Sequence, residues 1–542
     1  MMRLGLLKAG AGNSWAVRGV AGVVLLLAAC SAPSPKLVDE RPNVVLIMAD
    51  DLGFSDIGSY GSEIETPHLD RLAEGGLRFT QFYNMAKCET TRASLLTGLF
   101  ASKRHADNAR SIPGLLRDAG YHTAVVGKEH FSKWVPEHVF AKEAFDRSLV
   151  YWAINPYFAP PDGEWRNPFE LDGQEITTGE MPVSREPFFK TDVLTDYALR
   201  FLDEAAGTGK PFFLYLPYHV GHYPLQAREE DIALYRGRYR KGWDRIRAER
   251  FERMRDEGVI PPHARLSPPE DNINRFRGPF RGDVYHYRPW DDLEEGEQDA
   301  LDLEMAVFAA MVHRLDENVG RVLEKLDTAG AARQTLVLFL SDNGSCPYDS
   351  NKDFASPPGG PDSYRTLSAA WANVGNTPYR FYKQYGHEGG PHTHFVARWP
   401  GVIQPGLNHA PAHVVDLLPT LLEIAGGEYP ESANGAPTPR LDGRTLLPLF
   451  RGETRSAPEI IIAGFTERFR MVRVGDRKIV RVNAEPWELF DLAKDPTELN
   501  DLAGERPDEL SGLVAAYRQW ILDHGADMPR LDEVESASPP AS

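Results

Sequence analysis

Four apolar runs in this 542-residue chain each stop at side chains able to do chemistry. Asn43-Val44-Val45-Leu46-Ile47-Met48-Ala49 ends in Asp50-Asp51, and Thr123-Ala124-Val125-Val126 runs into Gly127-Lys128-Glu129-His130. Pro211-Phe212-Phe213-Leu214-Tyr215-Leu216 leads to Pro217-Tyr218-His219-Val220-Gly221-His222. Thr335-Leu336-Val337-Leu338-Phe339-Leu340 leads to Ser341-Asp342-Asn343-Gly344. Continuous apolar runs of this length suit strands buried on both faces of a parallel sheet. In open α/β sheets ligands bind beyond the carboxyl ends of the strands. The carboxylates, lysine, histidines and amide are therefore predicted to meet at one sheet edge. Asp50 and Asp51 repel each other unless a cation lies between them, so their place behind a buried strand predicts a metal.

A second stretch, Cys88-Glu89-Thr90-Thr91-Arg92, continues as a short helical run closed by Gly98. Thr91 or Thr90 can cap the helix start, and Gly98 suits its C-terminal side. Cys88 then sits where outward N–H groups favour an anion, and Arg92 can turn its fixed cation towards the same place. Alone, these five residues read as a small buried cysteine beside a surface arginine; the converging strand ends tip the balance towards chemistry. Lys383 follows Asn376-Thr377-Pro378-Tyr379-Arg380-Phe381-Tyr382, and His387, His392 and His394 cluster just beyond it. His219 and His222 lie three residues apart beyond the third run.

Composition bounds what this chemistry can serve. With 42% hydrophobic and 10% aromatic residues the chain can bury a sizeable core, and a net charge of −18 argues against a nucleic-acid partner. An anionic substrate then needs a locally basic pocket within an acidic field. The three cysteines, Cys30, Cys88 and Cys346, make no obvious disulfide framework, and Cys346 reads as a spectator thiol.

The elements that position these residues divide the chain. Residues 1–29 carry Arg3, Lys8 and Arg18 ahead of the apolar Val20–Ala29, a secretory signal too short to span a membrane. Leu27-Ala28-Ala29-Cys30 looks like a bacterial lipobox that leaves Cys30 as the lipidated N-terminus, with ordinary cleavage after small residues as the alternative. Residues 30–41 read as a tether and 42–455 as the catalytic domain. Within it, 225–300 is a charged insertion in which Arg236, Arg238, Arg240 and Lys241 belong to a solvated face rather than to a polymer grip. A helix is expected over the stripe Phe308–Leu326, another after Val414, and a long irregular loop over 351–380. Residues 456–528 read as a small antiparallel sheet with one helix, and 529–542 as a disordered tail.

With these motifs in order, the span from Pro42 to Ala503 resembles the type I sulfatases of the alkaline phosphatase superfamily, the bacterial arylsulfatases most closely. The resemblance implies an α/β fold: a large mixed, mostly parallel sheet sandwiched by helices, with a small C-terminal antiparallel sheet plus helix. It implies that a maturation enzyme oxidises Cys88 to formylglycine, whose hydrated aldehyde is the nucleophile. Asp50, Asp51, Asp342 and Asn343, with the modified Cys88, resemble the metal ligands. Three carboxylates and an amide are an all-oxygen set, which suits Ca²⁺ or Mg²⁺ better than zinc. Arg92, Lys128, His130, His222 and Lys383 resemble the residues that hold the sulfate and move protons, and Asp342 is a plausible proton acceptor for the nucleophile. The implied substrate is a sulfated small molecule or glycan; the lipobox at Cys30 predicts a place in the bacterial cell envelope, with the N-terminal lipid the only membrane contact. Thr90 stands where the family usually has Pro or Ala, and Glu129 interrupts its Gly-Lys-Trp-His run. A phosphodiester or phosphonate monoester hydrolase on the same framework stays open as an alternative, as does an unmodified, inactive glycan-binding lipoprotein.

Overall fold

The computed structural model describes residues 41–100, 108–130, 144–160, 163–181, 186–269, 287–348, 356–458, 460–465 and 469–524. The signal segment, Cys30, most of the tether and the acidic tail lie outside the described residues.

Strand β1 (Asn43–Ala49) is apolar from Val44 onward and buried over that span. Val45, Ile47 and Ala49 join one hydrophobic core, and Val44, Leu46 and Met48 join another. The two-residue alternation of a strand thus divides one apolar run between two layers. The chain continues through β2 (Leu77–Tyr83), β3 (His122–Lys128), β4 (Arg147–Tyr151), β5 (Phe169–Leu171), β6 (Gln174–Ile176) and β7 (Phe212–Pro217). It then adds β8 (Thr335–Ser341), β9 (His392–Arg398), β10 (Gly406–Asn408) and β11 (Ala412–His413). Among the described residues these form an 11-stranded sheet ordered β10-β2-β9-β8-β1-β7-β3-β4-β5-β6, with β11 also on β2. β8, β1, β7, β3 and β4 run parallel, whereas β9 is antiparallel to both its neighbours. The four apolar runs therefore lie side by side in the middle of a mixed, mostly parallel sheet, as their composition predicts.

Helices α1 (Pro67–Glu74), α2 (Cys88–Thr97), α3 (Lys190–Thr208), α4 (Trp243–Asp256), α5 (Glu295–Thr328), α6 (Ala369–Gly375), α7 (Leu417–Ile424) and α8 (Pro507–His524) supply most of the cover. α1, α3 and α5 bury their apolar stripes in the core that holds Val45 and Ile47; α2 and α7 pack into the opposite one. α5 is 34 residues long and opens with a capping box between Glu294 and Glu297. It begins well before Phe308: Leu301 and Met305 carry the buried stripe upstream, and the residues before them are mostly charged or polar. α6 lies within the expected irregular loop and is buried along its length.

In the insertion, the basic run pairs with acids rather than facing outward as a polymer grip. Arg236 and Arg240 meet Asp299, Arg238 meets Glu65 at 2.7 Å, and Lys241 meets Glu249. Buried Arg250 of α4 anchors the insertion to the strand-end loop through Asp56 at 2.7 Å and Glu63 at 2.8 Å. After a two-residue-strand hairpin, β12 (Ser432–Ala433) and β13 (Ala436–Pro437), a four-stranded antiparallel sheet follows. It consists of β14 (Ile461–Phe465), β15 (Phe469–Val474), β16 (Arg477–Val482) and β17 (Glu488–Asp491). One face takes Tyr517, Trp520 and Ile521 of α8, and the other places Met471 and Val480 in the main core.

Candidate active site

The centre of the site follows from strand register. β1 and β8 pair so that Ala49 lies opposite Ser341, which sets Asp50-Asp51 beside Asp342-Asn343 just past both strands. Asp51 has φ 63°, a left-handed conformation that aspartate tolerates better than most side chains. Its N–H donates to Asp342 Oδ1 at 3.2 Å, and the Leu52 N–H donates to Ser341 Oγ at 3.1 Å. Gly344 closes the turn where a Cβ would lie 1.9 Å from the Gly389 carbonyl oxygen.

Asn343 Nδ2 donates to Asp51 Oδ1 at 2.6 Å, which turns its amide oxygen away. Asp50 Oδ1, Asp51 Oδ2 and Asn343 Oδ1 are buried without a hydrogen-bond partner among the described residues. Ligand atoms of Asp50, Cys88 and Asp342 lie within 4.8 Å of one another. Buried oxygens are seldom left unpaired, and a hard cation satisfies several at once. The residues present therefore fit the divalent ion that the sequence predicts, with oxygen as the main donor.

Three cations neutralise the carboxylates. Lys128, at the end of β3, meets Asp50 Oδ2 at 2.5 Å, and Lys383 meets Asp51 Oδ1. Arg92 directs Nε and one terminal nitrogen to Asp342 Oδ2 at 2.9 and 2.7 Å, and the other terminal nitrogen to the Lys128 carbonyl at 3.0 Å. Its guanidinium is thus engaged with the framework of the site. Burial disfavours ionisation of Asp50, but Lys128, His222 and Arg92 outweigh it and hold the carboxyl well below its usual range. Asp342 shifts the other way, raised by burial and by the Asp50 charge against the pull of Arg92. A bound cation would act on it in the opposite sense.

Cys88 is the first residue of α2, whose N-cap is Lys87, so the helix starts three residues before Thr91. Neither threonine caps it: Thr90 Oγ donates to the Lys87 carbonyl, and Thr91 Oγ accepts from Met85 N. Gly98 takes the expected left-handed C-cap at φ 67°. The thiol is fully buried; burial opposes its ionisation, but Lys383, Lys87, Lys128 and His130 together hold it well below the usual thiol range. Lys383 is raised well above its ordinary value, since Asp51 and Cys88 outweigh burial.

His130 Nδ1 lies 3.3 Å from Cys88 Sγ, and His130 Nε2 lies 3.0 Å from Glu89 Oε1. Burial lowers the His130 pKa, but Cys88 and the bond to Glu89 raise it to a net upward shift. His222 Nδ1 donates to the Tyr223 carbonyl at 2.8 Å, which leaves Nε2 facing Asp51 Oδ2 at 3.7 Å. His219 stacks behind it with centroids 4.8 Å apart and meets Lys190 through Nδ1 at 2.5 Å. Burial and then Lys128 push Lys190 well below its usual value, and burial and then Lys190 do the same to His219.

All the candidates from Asp50 to Lys383 thus gather at one edge. His387, His392 and His394 do not join them. His387 bonds Glu488 and His392 bonds Glu388, each at 2.7 Å, and His394 stacks on Phe339. Cys346 is buried, and burial raises its thiol pKa far above the usual range. Glu89 and Lys190 escape sequence reasoning. A carboxylate directly after the candidate nucleophile is a signal for Glu89; Lys190 has none, since its partners come from Asn155 and His219.

Comparison with known proteins gives a consistent picture. Residues 42–427 match the family model Sulfatase, and residues 378–512 match N-sulphoglucosamine sulphohydrolase, C-terminal. An uncharacterized sulfatase of Schizosaccharomyces pombe is 31% identical over 90% of this chain and 94% of its own length. An arylsulfatase of Klebsiella aerogenes is 28% identical over 77% of this chain and 94% of its own. Among solved structures, Ps i-CgsB in complex with k-i-k-neocarrahexaose has TM-score 0.64 and 24% identity, covering 91% of this chain and 99% of that one.

Proposed function

Because the chain belongs to the sulfatase family, it hydrolyses sulfate esters, and we propose that it does so on a carbohydrate, through formylglycine at position 88 and a calcium ion. One observation carries the reading. The Cys88 side chain is gathered with carboxylate and amide oxygens that lack partners among the described residues and with the ammonium groups of Lys128 and Lys383. Formylglycine supplies a hydroxyl nucleophile and a later exit for sulfate.

The chain's own residues do the rest. Lys128 and Lys383 offset charge on the sulfate oxygens, while Arg92 holds Asp342 in place. Lys383 presents its ammonium as a carrier of the proton for the departing alcohol. His222, which burial and then Lys128 hold well below its usual pKa, shares that role at Nε2 once it has taken up a proton there. Asp50, Asp51, Asp342 and Asn343 would hold the ion; a carboxylate-rich, oxygen-only set favours calcium. Trp152 supports a carbohydrate. It is 37% exposed and its ring meets His130 edge-on at 5.6 Å, so an apolar platform stands beside the reacting centre. Ps i-CgsB, a structural neighbour, is in complex with k-i-k-neocarrahexaose, which supports the same reading.

Cys30 gives the enzyme its address in this proposal: a lipid-anchored form in the bacterial envelope, facing the periplasm or the cell surface, matured by a formylglycine-generating partner. Among the described residues no helix is long and apolar enough to cross a membrane. Cys30→Ala should move the protein from the membrane to the soluble fraction with its activity intact; unchanged partitioning would reject the anchor.

The central test compares the mass of the Cys88 peptide with specific activity across preparations from a native-like host. Sulfated sugars, aryl sulfates and matched phosphonate esters serve as substrates. Conversion should track sulfate release, with the highest kcat/KM on a sugar sulfate. Full activity with unmodified Cys88 would sink the nucleophile, faster phosphonate cleavage would favour the rival hydrolase, and preference for aryl sulfates would remove the carbohydrate.

A further inference from the structure

We propose that Glu89 is a positioning residue that fixes the His130 ring so that Nδ1 faces residue 88 as a proton acceptor. The inference rests on the sulfate-ester reading above and adds a residue to the same site. Glu89 is the second residue of α2, and its side chain is 19% exposed. It turns sideways to His130, with Oε1 3.0 Å from Nε2, while Nδ1 on the other side of the ring lies 3.3 Å from Cys88 Sγ.

An ionised carboxylate only accepts hydrogen bonds, so Nε2 carries the hydrogen and Nδ1 is left as the acceptor in the neutral ring. His130 reaches this place from the turn after β3 with φ 50°, a left-handed conformation unusual for a histidine. The edge-on contact with Trp152, with ring planes 85° apart, limits the ring on another side. Backbone, carboxylate and indole thus fix the same orientation.

The plainer account is that Glu89 only balances the helix N-terminus, where acids are favoured. An acid serving that purpose alone has no need of a ring that itself touches the nucleophile position. In the proposed role, a proton leaves an oxygen on residue 88 and binds Nδ1. The ring then carries hydrogen on both nitrogens, and the Glu89 carboxylate stays ionised beside the new charge. This is the logic of a base oriented by a third group.

The test uses the full chain with Glu89→Ala and Glu89→Gln, in formylglycine-bearing and unconverted forms. Conversion of position 88 is quantified first by peptide mass, and rates are expressed per converted site. Glu89→Ala should lose about 10- to 100-fold in kcat, the range for losing an orienting partner, with little change in KM. Glu89→Gln can hold the ring in place but can also donate to Nε2 and carries no charge, so it should keep the ring position while losing kcat. Crystal structures of the unconverted forms should show the His130 ring in place in wild type and Glu89→Gln and turned away from Cys88 in Glu89→Ala. Wild-type rate per converted site in Glu89→Ala, or losses in both variants with the ring unmoved in Glu89→Ala, would overturn the proposal. Absence of sulfate release by fully converted wild type would reject the sulfatase reading instead, and the ring positions would still decide the role of Glu89.

Discussion

Asp51 divides two tasks between its two carboxylate oxygens. Its Oδ1 takes both Lys383 and Asn343, and its Oδ2 has no partner among the described residues. Asp51→Ala should therefore lower ion affinity by more than the roughly 10- to 100-fold that outer partners cost. It also strands a buried ammonium at Lys383, which should cost stability by about 3 kcal/mol or more. Metal analysis and denaturant melts check both effects, and full ion content with full turnover in the variant would show that the assignment is wrong. At this scale the sequence is informative where a residue type is rare in its setting: paired acids behind an apolar strand, or a lysine at a strand end. It is uninformative about the pairing of Lys190 with His219, whose 2.5 Å contact joins residues on different elements with no spacing in common.

At the scale of elements, strands are legible because apolar runs alternate between two cores, and the small C-terminal sheet because its strands are short and evenly spaced. The start of α2 is not legible. Thr90 and Thr91 have the right chemistry for a cap, but the turn after β2 uses both hydroxyls otherwise and begins the helix at Cys88. Strand spacing also sets how Lys128 is delivered. Gly127 has φ 140°, and a Cβ there would lie 2.1 Å from the Pro217 carbonyl oxygen on β7. Gly127→Ala should push β3 from β7, lower stability by about 1–3 kcal/mol, and reduce kcat by moving Lys128 from Asp50. Urea midpoints and steady-state rates measure this; an unchanged midpoint would count against so tight a contact.

The turn into α7 should carry a pH dependence. His413 Nδ1 accepts from Val415 N at 3.2 Å, and His413 N donates to Asp416 Oδ2 at 2.9 Å. Burial pushes the His413 pKa from its ordinary 6.5 down to about 3. Between those values the unfolded chain binds a proton that the folded chain refuses, so stability is complete above 6.5 and falls as pH drops through the window. Thermal melts from pH 7 to 4 should show the decline, and His413→Asn should lessen it. An equal slope in the variant would assign the acid sensitivity elsewhere.

For the whole molecule, the sign of the field matters. The chain carries −18 net charge, yet its substrate is an anion that must reach Lys128 and Lys383. Added salt screens long-range repulsion more than it weakens buried contacts. For a highly sulfated oligosaccharide, kcat/KM should therefore rise between low and physiological ionic strength, and for a singly sulfated sugar it should change little. A fall for the oligosaccharide would mean that a local basic surface guides it.

The pairing of Asp50 with Lys128, Asp51 with Lys383 and Asp342 with Arg92 has a consequence for the order of assembly. Each of these acids already has a basic partner, so the ion is not the sole counter-charge to its ligands. Where a metal is the only counter-charge to its ligands, the chain must wait for that metal to fold. This chain need not wait: it can fold first and collect its ion afterwards from whatever surroundings it reaches.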